Sequence, residues 1–229
     1  MPTPDGSGTE RETKRLEAFS DAVLAIAITL PIVESHMKAA GHKRELLPEL
    51  VALWPSYLAY AISFVVIGLY WSTSHFSGKV LEKTDHAYNL LNLLFLAAVS
   101  VVPVPAQVFA DHLTDARAAP VGAAILVLGL LAPAAAWSLK WAYADRHDLP
   151  DPRLTAAHRR KVALRNYFAV GANGLAGVLV FVEWRLGVAV AAVTTASFLI
   201  PPAPPEYKPG QEPSDELEEP DERRDHGGD

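Results

Sequence analysis

Apolar runs recur through the middle of this chain with too little polar relief for a soluble core. Six can be marked, at 16–33, 47–72, 88–110, 118–141, 162–182 and 186–200. Each is apolar on all sides or nearly so, whereas a helix on the surface of a soluble protein keeps a polar face. A helix of about 20 such residues spans the hydrocarbon core of a bilayer. Trp or Tyr stands near the ends of several runs, as interfacial anchors do. The last two runs are separated only by Glu183-Trp184-Arg185, which predicts a tight helical hairpin. The expected fold class is all-α: a polytopic membrane protein with six transmembrane helices.

The charge lies outside these runs. Residues 201–229 carry ten acidic and three basic side chains, so the net −6 of the whole chain leaves the body near +1. That balance gives no nucleic-acid surface. The chain has no cysteine, which excludes disulfides, thiol nucleophiles and thiolate metal sites. The first fourteen residues are polar and mixed in charge, unlike a signal peptide, so the first apolar run is expected to stay in the protein. Fifteen of the twenty Lys and Arg residues fall in the N-terminus, the second and fourth loops and the tail. The positive-inside rule then puts both termini in the cytoplasm of a multi-pass protein of the plasma membrane. The expected organisation is a polar cytoplasmic N-terminus at 1–14, a six-helix domain at 15–200 and an acidic, Pro-rich cytoplasmic tail at 201–229. The tail has too little apolar surface to fold and is predicted to be disordered.

The chemistry begins where Arg15, Phe19, Ser20 and Asp21 lead into the first apolar run. An ionisable group in a membrane helix is costly and marks a functional or assembly site. Asp21 is expected to find partners on another helix, with Trp71, His75 and Asn92 as candidates. Arg15 and Phe19, four residues apart, are placed to stack as a cation–π pair. Ile26, Thr29, Leu30 and Val33 follow at helical spacing and share one face. Lipid contact or helix packing would produce that face as readily as a pore. Gly171, Gly174 and Gly177 recur along the fifth run and predict close helix packing. His86, Asp111 and His112 lack the spacing of metal ligands, so no metal site and no cofactor are expected. No convincing nucleophile–base pair falls in the spans, so enzyme activity is not expected.

The Arg-x-x-x-Phe-Ser-Asp signature at Arg15, Phe19, Ser20 and Asp21 resembles that of the lysosomal-type potassium channels called transmembrane protein 175, in their bacterial branch. The likeness continues to Glu34 and resumes at Ser63-Phe64, Trp71, His75, Asn92-Leu93 and Pro103. The resemblance implies a homotetramer in a lipid bilayer, with four copies of the first helix lining a central pore for potassium ions. It implies pore-lining positions seven, ten and fourteen residues after Phe19, which are Ile26, Thr29 and Val33. Leu30 shares that face, and Glu34 is the candidate for the outer mouth. The signature residues, with Trp71, His75 and Asn92, are implied to lock the first helix against its neighbours. Two departures stand out. Pro31 falls within the pore stripe, and Ser74 precedes His75 where the family often has a His pair.

The expected function is a potassium-preferring cation channel with a hydrophobic constriction. No Thr-Val-Gly-Tyr-Gly loop is present to form a carbonyl filter, but an apolar ring can gate by dewetting. The alternative is a secondary transporter, suggested by Pro31 and Pro133 at matching places in the first and fourth runs, where transporters carry broken helices.

Overall fold

The computed structural model describes residues 10–39, 46–78 and 80–211. Within α1, side chains are described for residues 14–29. The described residues form eight helices: α1 (Glu10–Ala39), α2 (Leu46–Ala52), α3 (Trp54–Gly78), α4 (His86–Ser100), α5 (Pro103–His112), α6 (Ala119–Arg146), α7 (Ala156–Leu179) and α8 (Trp184–Ser197). Among them there is no strand beyond two isolated bridges, Leu81 with Pro150 and Leu154 with Tyr207. Among the described residues, three helical stretches are long and apolar enough to cross a membrane: α3, α4 with α5, and α6.

Local chemistry sets the helix ends. Asp85 caps α4 by accepting from the Tyr88 amide at 2.7 Å, and its other oxygen accepts from the Tyr143 hydroxyl at 2.7 Å. Thr155 caps α7 by accepting from the His158 amide. The apolar run at 88–110 divides into α4 and α5 at Val101-Val102. Pro103 opens α5, where a missing N–H is no loss. By contrast α6 continues through Pro133, and the backbone of α1 through Pro31. The described helices are therefore not interrupted where a transporter with broken first and fourth spans would need them to be.

α6 is the central rod and packs against α4, α5, α7 and α8, while α3 packs against α1 and α5. Two of the three apolar clusters among the described residues fill most of the space between them. One joins α3, α5, α6, α7 and α8 through residues such as Ala106, Val127 and Ala176. The other joins α1, α3, α4 and α6 through Leu24, Ile67, Phe95 and Trp137. Phe95 meets Trp137 edge-on at 5.0 Å and Tyr70 at 5.3 Å, so one aromatic group ties three helices.

Two expectations are corrected here. Gly171, Gly174 and Gly177 do not mediate close packing within the chain, because a β-carbon at any of them would meet nothing within 4 Å. The close approach between α7 and α8 comes instead at Gly187, whose missing side chain admits Val180 and the Ala176 carbonyl. The second correction concerns the tail. Residues 201–211 form an extended strap along the loop before α7 and are not disordered. Thr155 N donates to Glu206 O and Lys208 N to Arg153 O, each at 2.8 Å, and Lys161 pairs with Glu206 at 2.5 Å. A Pro-rich segment can dock this way because backbone pairing needs no apolar side chain. Residues 212–229 lie outside the described residues.

Candidate functional site

The signature at the start of α1 faces two ways. Ser20 is buried, with Leu24 and Ala27 one and two turns on, and this face packs on α3 and α4. Arg15, Phe19 and Asp21 are exposed. Within the single chain Asp21 meets none of its expected partners, and the packed face of the helix passes through Ser20. The expected stack of Arg15 on Phe19 is not among the ring contacts of the described residues.

The polar lock runs through Ser20, Asn92 and Lys140. Ser20 Oγ donates to the Leu16 carbonyl at 2.8 Å and accepts from Asn92 Nδ2 at 2.9 Å. Asn92 Oδ1 accepts from Lys140 Nζ at 3.0 Å. The Lys140 ammonium lies 4.0 Å from the centre of the Trp137 ring and 4.8 Å from that of Phe95. All three linked residues are buried, Lys140 at 5% exposure. One chain of hydrogen bonds therefore joins α1, α4 and α6. A buried cation survives in such a place only when oxygen and aromatic faces replace its water. Lys140 went unnoticed in the sequence because it sits at the end of an apolar run and reads as a loop residue. The available signal was its placing between Trp137 and Trp141.

Trp71 and His75 stack at 6.4 Å with an interplanar angle of 23° and remain exposed on α3. His75, Glu17 and Asp21 border a polar cavity that reaches the Ser20–Asn92–Lys140 chain. Among the candidate pore residues, Ile26 is 60% exposed. Thr29 is exposed, and its hydroxyl donates back to the Ile26 carbonyl at 3.0 Å. With Ala22 these residues form a bare stripe, on the side of α1 away from Leu24 and Ala27. The side chains of Leu30, Val33 and Glu34 lie outside the described residues. No group of three or more His, Asp or Glu among the described residues is placed to hold a metal ion.

The family profile for the endosomal/lysosomal potassium channel TMEM175 matches residues 15–103, from the signature to the start of α5. A potassium channel of Streptomyces collinus is 41% identical over 164 residues, covering 71% of this chain and 79% of that protein. This chain belongs to the TMEM175 family. A potassium channel of Chamaesiphon minutus is 34% identical over 196 residues, covering 83% of this chain and 95% of that protein. The fold agrees with the crystal structure of a lysosomal potassium-selective channel TMEM175 homologue from Chamaesiphon minutus. The TM-score is 0.66 at 32% identity, over 83% of this chain and 97% of that one. The resemblance read from Arg15, Phe19, Ser20 and Asp21 therefore holds. The chain is a membrane protein of an ion-channel family and not an enzyme.

Proposed function

We propose that this chain is the subunit of a potassium-preferring cation channel in a bacterial plasma membrane, with six spans and both termini cytoplasmic. Four copies set the bare stripe of α1 round a central pore. Ile26 forms an apolar constriction, Thr29 offers hydroxyls beside it, Leu30 and Val33 continue the lining, and Glu34 stands at the outer mouth. The observation that carries this is the two-faced α1. Its Ser20–Leu24–Ala27 side is buried within the chain, while Ile26 stands 60% exposed opposite, in a protein whose relatives are named potassium channels. A ring of Ile26 would strip part of an ion's hydration shell. That costs less for large, weakly hydrated potassium than for sodium, so selectivity follows from dehydration and not from a carbonyl filter.

Purified protein in a planar bilayer tests this directly. Unitary currents are expected, with a reversal potential that follows the potassium gradient against sodium. Ile26→Asn hydrates the ring and is expected to raise conductance and reduce the preference for potassium. Slow flux coupled to a gradient would instead indicate a transporter. Unchanged conductance and selectivity in the variant would remove Ile26 from the constriction.

A further inference from the structure

At one end of the bundle, α6 finishes, α7 begins and the strap leaves α8. A cavity of about 70 Å³ lies between them, walled in part by Trp141, His158, Arg165 and Asn166 and roofed by Pro202 and Pro205 of the strap. Three of these walls carry a buried nitrogen with no hydrogen-bond partner: Trp141 Nε1, His158 Nδ1 and Asn166 Nδ2. The three residues are only 3–4% exposed. An indole N–H and an amide NH2 can only donate, and the imidazole nitrogen donates in one of its tautomers. Buried donors are nearly always matched by acceptors, so three orphans round one space indicate a missing acceptor-rich group.

Arg165 adds charge. Its guanidinium donates to the Ile200 carbonyl at 2.7 Å and lies 4.8 Å from the Phe198 ring centre, and no carboxylate among the described residues pairs with it. Neighbouring cations differ in this respect, since Arg159 pairs with Asp145 and Lys161 with Glu206. The remaining walls include Phe76, Val80 and Val162 and are apolar. A ligand that fits has an anionic, oxygen-rich head on an apolar body. The cavity lies where the apolar stretches of α6, α7 and α8 end, which is the depth of lipid head groups.

We propose that this cavity holds the phosphate of an anionic phospholipid. Its oxygens accept from Trp141, Asn166 and Arg165, and the glycerol and first acyl carbons lie along Phe76, Val80 and Val162. The three nitrogens are closed off in the ligand-free chain, so the strap lifts at its prolines as the head group enters. This rests on the membrane-spanning reading, and it is tested without any current, so its failure is distinct from failure of the channel reading.

The test is titration of the purified full-length protein in neutral detergent with phosphatidylglycerol, phosphatidylcholine and sodium phosphate. Bound lipid is counted by native mass spectrometry, and the strap is followed by hydrogen exchange. One saturable phosphatidylglycerol per subunit is expected, with changed exchange over residues 201–207. Trp141→Phe and Arg165→Gln should each weaken it about tenfold or more, as expected for losing a hydrogen bond to a charged group. Arg165→Lys should recover part of the loss. Equal binding of phosphatidylcholine overturns the proposal, as does binding that neither variant weakens. Sodium phosphate acting as well as the lipid at equal concentration assigns the site to free phosphate and overturns the lipid. If a variant fails to fold, an unchanged strap in the wild-type protein still refutes the proposal.

Discussion

Asn92→Leu isolates the polar lock. Leucine keeps the branched heavy-atom skeleton but removes the hydrogen-bonding oxygen that Lys140 Nζ has among the described residues, at 3.0 Å. Ser20 loses a donor yet keeps its bond to the Leu16 carbonyl, so little of the cost falls there. The loss falls on the Lys140 amine, and removing a hydrogen bond to such a group costs about 1.5–3 kcal/mol. The Trp137 and Phe95 faces hold the cation in both proteins and do not reduce this difference. Lys140→Met has the opposite character. It removes the charge and strands only the neutral Asn92 oxygen, at about 1–3 kcal/mol. The double variant leaves neither group stranded and should be more stable than Asn92→Leu alone, a coupling that a double-mutant cycle measures. At about 2–4 °C per kcal/mol for a chain of this size, Asn92→Leu should melt about 3–12 °C below wild type in detergent. An Asn92→Leu protein that melts with wild type, or a double variant worse than Asn92→Leu, would refute the lock.

Asp21→Ala should leave helicity and melting of the subunit within about 0.5 kcal/mol of wild type, because an exposed carboxylate contributes little to its own chain. A large loss by circular dichroism would mean that Asp21 is engaged by another subunit. Truncation after Ile200 should lower the melting point by removing the strap pairs at Arg153 and Thr155, whereas truncation after Gln211 keeps them; equal melting of the two truncations would disprove the docking. Asp151 gives a pH dependence. The Arg153 guanidinium donates to both its oxygens and holds the carboxyl below its ordinary value of 3.8. Its contribution is thus complete above that value and lost as pH falls through the lower folded one. Hydrogen exchange at Leu154 and Lys208 should rise only below about pH 4, and Asp151→Asn should abolish the transition. A rise already at neutral pH would sink this account.

The helices were legible because crossing a bilayer demands long apolar runs, which any window along the sequence detects. The break at Val101-Val102 falls just ahead of Pro103, whose fixed backbone and missing donor suit the start of a helix. Pro31 and Pro133 share these traits and proved misleading, since surrounding helices can hold a backbone straight past a missing donor. Within the site, periodicity separated Asp21 from the Ile26 stripe but could not say which side would be covered, because that depends on how α3 and α4 pack. Lys140 was hidden by averaging, which assigns a charge at the end of an apolar run to water. The strap escaped for a different reason. Its hold on residues 153–155 is made by backbone groups, which every sequence possesses.

The Ser20–Asn92–Lys140 chain also bears on how the protein is made. Chains are synthesised from the N-terminus, so the helices bearing Ser20 and Asn92 emerge before the one bearing Lys140. A lysine at the centre of an inserting helix carries a penalty of about 2.5–3.5 kcal/mol. Lys140 lies toward the end of α6 and pays less, but it still leaves water for a place with few polar groups. The carbonyl of Asn92 and the hydroxyl of Ser20 are already in the bilayer when the ammonium arrives. Biosynthesis thus delivers the acceptor first and the cation last.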